Sequence, residues 1–480
     1  MGPRRRRRRI RRWFAASVIV LAIAAVLPRS VPVIATASSP NIIIILTDDQ
    51  SLDTLPSDPP AMPWLQSQIF DRPGSGWRWF PNAILSTPLC CPSRATILTG
   101  RYAHHTGVQG NGDGEALDES QTLATWLSDA GYRTGLFGKY LNGYPWDRGP
   151  YVPPGWSRFV GKSSRDQGQT YYGYEEIDQG VPLFPGEGPD AYATDHFADL
   201  TVSFLRTVPV GQPYFAMYTP SAPHPPWVPA PRDVGAFAGT PVPTPSQRLL
   251  NGVRGKPSYI VERAWITAVK AAKYREERRH ERATLLAVDD AVRRIVDTVA
   301  ARGELDRTVI LFLTDNGYAF GEHRWHGKKC AYEPCIRTPF AVLAPWDGPA
   351  TVSQLVSNVD LAATIADLAG VQPGLPQDGR SLAALLGAPD PAPPPDPARP
   401  VLIEWAGDRE VPPWRGVRTL DLVYIENADG TVELYDLGGR LGPPDPDEVR
   451  NLAGVPRYAA VQASLARTLV RLASQREGAG

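Results

Sequence analysis

Residues 41–46, Asn-Ile-Ile-Ile-Ile-Leu, form an unbroken apolar and largely β-branched run that stops abruptly at Thr47-Asp48-Asp49-Gln50. Hydrophobicity that does not alternate marks a strand covered on both faces, as in the interior of an α/β sheet. A second run, residues 308–313, ends the same way, in Thr314-Asp315-Asn316-Gly317. Amphipathic stretches at 121–130, 195–206 and 274–301 read as helices, and 134–137 and 214–218 as further strands. This alternation predicts an α/β fold. The chain has 480 residues, enough for one large domain and a smaller companion. The main domain is expected over residues 38–385 and a proline-rich linker over 386–400. Strand-like pieces at 401–405, 420–426 and 431–435, with a closing helix at 458–475, form a small α+β unit over 401–480. Residues 220–257, rich in proline and glycine, read as long loops.

The formal net charge is zero, but residues 1–37 hold nine arginines and no acid. The remainder carries 41 basic against 50 acidic side chains, an acidic balance that argues against a nucleic-acid partner. The leader runs from arginines through an apolar stretch, residues 13–27, to Ala35-Thr36-Ala37. That is signal-peptide architecture, so the export machinery is an expected partner and the chain is expected outside the cytoplasm or in the cell envelope. Arg11-Arg12-Trp13-Phe14 partly resembles a twin-arginine signal. An uncleaved membrane anchor is the alternative. Of four cysteines, Cys330 and Cys335 are close enough for a small disulfide loop. Adjacent Cys90 and Cys91 need another explanation.

In open α/β sheets, ligands bind beyond the carboxyl ends of the strands. Asp48, Asp49, Asp315 and Asn316 stand at such ends and offer only oxygen, which suits calcium or magnesium and not zinc. Singly, Asp48-Asp49 also reads as a helix cap, and Asp315-Asn316-Gly317 as a hairpin turn. The segment Leu89-Cys90-Cys91-Pro92-Ser93-Arg94 leads into a short helix ending at Gly100, since proline suits a first turn and glycine an end. Cys90 then sits just before the helix, where unpaired N–H groups and the helix dipole favour negative charge, and Arg94 can reach back over the same face. A buried free cysteine in a helix cap is the plainer reading.

Cys90-x-Pro92-Ser93-Arg94 followed by Leu98-Thr99-Gly100-Arg101 resembles the sulfatase signature. In that family the first cysteine is oxidised to formylglycine by a formylglycine-generating enzyme. The resemblance makes Cys90 the modified residue and implies calcium, ahead of magnesium, as the metal. A soft thiolate is a poor companion for a hard oxygen-bound cation, whereas an aldehyde hydrate supplies oxygen. One hydroxyl of the hydrate attacks sulfur and the second later expels sulfate, a step that serine cannot perform.

The same resemblance assigns Asp48, Asp49, Asp315, Asn316 and residue 90 to the metal. It assigns Arg94, Lys139 in Gly138-Lys139, His224 in Pro223-His224-Pro225 and Lys328 ahead of Tyr332-Glu333 to the reaction, with Lys329 as the alternative to Lys328. Such cations would hold the charge that spreads over a sulfuryl group, and a histidine suits proton donation to the leaving oxygen. Asn142 stands near where many relatives have histidine, and Gly321-Glu322-His323 resembles a Gly-acid-His stretch that occurs here in several branches, which implies a reach to substrate; both are substrate-binding candidates. His104 and His105 read as structural or as part of the pocket rim. The implied fold is that of the alkaline-phosphatase superfamily: a large mixed sheet flanked by helices, then a smaller C-terminal antiparallel sheet-plus-helix domain. The implied activity is hydrolysis of a sulfate ester, and the motifs look most similar to the N-acetylglucosamine-6-sulfatase branch. A generic arylsulfatase, a formylglycine-dependent phosphonate or phosphodiester hydrolase, and a silent carbohydrate-binding relative are the rivals.

Overall fold

The two apolar runs form the centre of the main sheet in the computed structural model. Its strands are β1 (Asn41–Thr47), β2 (Trp77–Trp79), β3 (Arg133–Lys139), β4 (Arg158–Lys162), β5 (Glu176–Asp178), β6 (Val181–Leu183), β7 (Tyr214–Thr219), β8 (Thr308–Thr314) and β9 (Ala341–Leu343). The structure describes Gly2 and residues 39–164, 170–242 and 245–474. Apart from Gly2, the predicted leader, residues 1–37, lies outside them. Among the described residues the sheet order is β2-β9-β8-β1-β7-β3-β4-β5-β6. The middle strands β8, β1, β7, β3 and β4 are parallel, while both edges are antiparallel, so the sheet is mixed.

Both faces of β1 are covered, which is why its sequence does not alternate. Ile42, Ile44 and Leu46 pack in one apolar cluster with residues of α1 (Cys90–Thr99), α2 (Leu123–Asp129) and α5 (Asp360–Ala369). Ile43 and Ile45 pack in a second cluster with residues of α3 (Ala193–Thr207) and α4 (Ala268–Ala301). After residues 387–400, which contain no helix or strand, come β10 (Val401–Trp405), β11 (Trp414–Arg418), β12 (Leu422–Asn427) and β13 (Val432–Asp436). They form an antiparallel sheet in sequence order, against which α6 (Ala459–Ser474) packs. The expected large mixed sheet and small antiparallel sheet-plus-helix are thus both present. No helix among the described residues is long and apolar enough to cross a membrane.

Two differences from the sequence reading have simple causes. Helix α4 starts at Ala268, six residues before 274, about a turn and a half that the sequence did not signal because Val269, Lys270 and Lys273 face solvent and give no apolar period. Its start is marked by a cap instead, as Thr267 Oγ1 accepts from the Lys270 N–H at 3.2 Å. Strand β11 has no apolar signature, since Gly416 interrupts it. A Cβ there would lie 2.5 Å from the Tyr424 carbonyl oxygen, so close strand approach requires glycine.

Candidate active site

Register brings the site together. β1 and β8 run parallel and in phase, from Asn41 opposite Thr308 to Thr47 opposite Thr314. Asp48-Asp49 and Asp315-Asn316 therefore leave the sheet side by side. Lys139 ends β3 and His224 follows β7, so all these groups lie off the carboxyl ends of adjacent parallel strands.

Helix α1 points its first residue at this edge. It begins at Cys90 itself, one position earlier than the sequence indicated, with Leu89 as the extended cap residue, and ends at Gly100 with φ 70°. Every residue of α1 is buried. The Cys91 N–H donates to Asn111 Oδ1 at 3.0 Å. Cys90 Sγ lies 3.4 Å from Asp48 Oδ1 and 3.8 Å from Asp49 Oδ1. One ligand atom from each of Asp48, Asp49, Cys90 and Asp315 falls within 4.8 Å of the others.

Cations close over these acids. Arg94 Nε donates to Asp315 Oδ2 at 2.7 Å and Nη1 to the Lys139 carbonyl at 2.7 Å. Lys139 Nζ donates to Asp48 Oδ2. Lys328 Nζ lies 2.7 and 2.9 Å from the Asp49 carboxylate oxygens and 2.8 Å from Cys90 Sγ. Lys329, the alternative, instead donates to Asp408, which places Lys328 in the cluster. His224 presents Nε2 to Asp49 Oδ2 at 3.5 Å, while Nδ1 lies 2.7 Å from the Pro225 carbonyl.

Burial alone would raise the Asp48 carboxyl, but Lys139, His224, Arg94 and Lys328 outweigh it and hold Asp48 far below the carboxylate range. Asp315 is raised, by burial and by Asp48. Burial and then Asp48 push the Cys90 thiol far above its ordinary value, against Lys139 and Lys328. The unmodified residue is therefore a neutral thiol, a poor nucleophile. Cys91 is pushed up to about 11, chiefly by burial.

Two polar atoms here have no hydrogen-bond partner although they are buried: Asn316 Oδ1 and Arg94 Nη2. Asn316 Nδ2 is used, donating to Asp49 Oδ1 at 2.6 Å. An orphaned acceptor beside three carboxylates fits a hard cation, and an orphaned guanidinium nitrogen fits an anion. The oxygen donors Asp48, Asp49, Asp315 and Asn316 thus suit a metal of the calcium or magnesium kind.

Two candidates lie elsewhere. Asn142 is beside Cys91, with its backbone N–H toward that sulfur and its carbonyl accepting from Trp146 Nε1 at 3.2 Å. His323 is buried, with Nδ1 3.2 Å from the Gly252 carbonyl and its ring 4.7 Å from Tyr332. It lines a cavity of about 630 Å³ with Ser51, Arg278 and Glu322, and burial, then Lys256, keeps its imidazole neutral. His104 and His105 pair with Glu404 and Asp378 at 2.7 and 2.8 Å. Cys330 and Cys335, close enough in sequence for a small loop, do form a disulfide.

Sequence reasoning missed the supports of the site. Tyr171 donates to the His224 carbonyl at 2.6 Å, and Asn358 donates to Ser93 Oγ at 3.0 Å. Neither lies in a recognisable motif. Asn111, within Gly110-Asn111-Gly112, carried only a turn signal.

Glu281, buried on α4, accepts from the Ser51 N–H and hydroxyl, each at 2.8 Å, and so fixes the chain just beyond Asp49. Burial, reinforced by Asp53, pushes its carboxyl up to about 7 from an ordinary 4.5. The folded state then keeps a proton that the unfolded chain releases across that window, so this residue lowers stability as pH rises through it. Glu281→Gln is expected to remove on the order of 3 kcal/mol of that decline. Denaturant unfolding of wild type and variant at several pH values checks this; parallel stability curves would contradict it.

Comparison with known proteins identifies the family of the chain. A model of the Sulfatase family matches residues 40–371, and one described as N-sulphoglucosamine sulphohydrolase, C-terminal, matches residues 321–475. An extracellular sulfatase SULF-1 homolog from Drosophila melanogaster is 34% identical over 371 residues, 72% of this chain but only 31% of its own length. An N-acetylglucosamine-6-O-sulfatase from Bacteroides thetaiotaomicron is 28% identical over 496 residues, covering 90% of this chain and 85% of its own. The solved structure of BT4656 in complex with its substrate D-glucosamine-2-N,6-O-disulfate superposes with a TM-score of 0.75 at 27% identity, over 90% of this chain and 97% of the other.

Proposed function

The chain belongs to the sulfatase family, and from that premise we propose that it hydrolyses sulfate esters of amino sugars at O6, releasing the alcohol and inorganic sulfate. The observation that carries this reading is the buried junction of Cys90, three carboxylates and Arg94, Lys139, Lys328 and His224 at one sheet edge. The sugar is argued from the Bacteroides relative, which matches nearly end to end, and from the substrate named for BT4656.

Asp48, Asp49, Asp315 and Asn316 would hold calcium, together with an oxygen on residue 90. When bound, the ion acts as a Lewis acid toward sulfate oxygen. Formylglycine, made from Cys90 by a formylglycine-generating enzyme, supplies an oxygen nucleophile in place of the thiol. The side chains do the rest. Arg94 Nη2, which has no hydrogen-bond partner, and the ammonium groups of Lys139 and Lys328 bind the sulfuryl oxygens and offset their growing charge. His224, oriented through Nδ1 by the Pro225 carbonyl, hands a proton from Nε2 to the leaving oxygen. The chain is exported, in keeping with its leader and with relatives named as extracellular.

A substrate panel tests this. Enzyme co-expressed with the maturing enzyme is given N-acetylglucosamine 6-sulfate, D-glucosamine-2-N,6-O-disulfate, an aryl sulfate and a phosphodiester. A 6-O-sulfated amino sugar is expected to exceed the others in kcat/KM by about tenfold or more. A faster aryl sulfate would overturn the sugar assignment, and a phosphodiester faster than every sulfate ester would overturn the activity.

A further inference from the structure

Lys328 must be held by its backbone, because a lysine stem is flexible. The segment that carries it has almost no regular structure and bends through Lys329 at φ 76°. Indole groups pin it from two sides: Trp325 Nε1 donates to the Lys328 carbonyl at 2.9 Å, and Trp414 Nε1, from β11, donates to the Lys329 carbonyl at 2.9 Å. The Lys329 N–H reaches the Pro88 carbonyl at 3.1 Å, two residues before Cys90.

The end of the segment rests on a buried charge. Lys256 Nζ lies 3.6 Å from the centre of the Tyr332 ring and 4.6 Å from that of Tyr435. It donates to Tyr435 Oη and to the Glu448 carbonyl, both at 2.9 Å, and stands 3.8 Å from Glu433 Oε2. Tyr332 Oη donates to the same Glu433 oxygen at 3.1 Å. The Lys256 side chain is wholly buried. Desolvating an ammonium costs several kcal/mol, so an apolar side chain would fill this space at lower cost. What the charge adds is a fixed orientation of Tyr332 against β13, through the aromatic faces and Glu433.

We propose that Lys256 is a positioning residue: by clamping Tyr332 to the C-terminal sheet it fixes the segment that sets Lys328 on residue 90. This rests on the reading of Lys328 as a sulfate contact. The C-terminal sheet thereby shapes the active site without touching substrate, and Trp414 is its second attachment.

A double-mutant cycle in matured enzyme tests the clamp, with kcat and KM measured for wild type, Lys256→Met, Lys328→Ala and the double variant. Lys256→Met is expected to lower kcat about 10- to 50-fold while KM changes less than about threefold, the signature of a misplaced catalytic group. In the Lys328→Ala background the same change should cost less than about twofold, because the group it positions is gone. An undiminished effect in that background, or wild-type kcat in Lys256→Met, overturns the proposal. Wild-type kcat in Lys328→Ala instead overturns the reading of Lys328. If Lys256→Met does not fold, Trp414→Phe takes its place in the cycle, with an expected loss of about 3- to 10-fold that likewise vanishes beside Lys328→Ala.

Discussion

Cys90→Ser is expected to lose turnover by about 10⁴-fold or more while remaining folded. Serine fits the space, since the Cys90 side chain sits at the first position of α1 in a fully buried setting. It also offers oxygen to the carboxylate cluster. What it lacks is a second hydroxyl on the same carbon, so a serine that attacks sulfur has no internal means of releasing the sulfate. A single sulfuryl transfer per enzyme molecule, followed by arrest, is the expected kinetic signature. The cysteine itself is no better, because burial and Asp48 keep its thiol protonated. Sulfate release measured over many enzyme equivalents decides the matter; turnover within tenfold of wild type would contradict the assignment.

Arg94→Met is expected to lower kcat by about 10³-fold and stability by about 3–5 kcal/mol. Arg94 is 2% exposed and joins Asp315, Asp48 and the Lys139 carbonyl. Without it, Asp315 keeps its place among three buried acids but loses the 2.7 Å hydrogen bond from the Arg94 guanidinium. Breaking a buried pair in this way leaves an uncompensated charge, which is why the stability effect is large. Arg94→Lys keeps charge but not the fork that spans Asp315 and the Lys139 carbonyl, so it should fall between the two. Denaturant unfolding and kcat, corrected for the fraction of enzyme carrying formylglycine, check both effects. A variant as stable as wild type would contradict the ion-pair argument.

The centre of the fold was legible because its signal is local. Unbroken apolar runs at β1 and β8 announced strands covered on both faces, and the acids at their ends marked the functional edge. What no local pattern carried was register: only the in-phase pairing of Asn41 with Thr308 explains why Asp48-Asp49 and Asp315-Asn316 meet. The family resemblance provided Lys139, His224 and Lys328, which by themselves look like ordinary loop residues. Lys256 stood out only within Lys256-Pro257-Ser258-Tyr259-Ile260, a stretch similar to the N-acetylglucosamine-6-sulfatase branch, and its contact with Tyr435, 179 residues away, carried no local signal. Trp414, Glu281 and Tyr171 stayed hidden, because they reach the site or its supports through contacts that span between 53 and 230 residues. Strand β11 was hidden for a different reason, since its glycine serves close packing and not a pattern.

Residue 90 is where sequence, geometry and chemistry converge, and its covalent state can be read directly. Peptide mass analysis of active enzyme from its native source is expected to find an aldehyde at position 90, in a fraction that rises in proportion to kcat across preparations. An unmodified thiol at that position in fully active enzyme would contradict the mechanism.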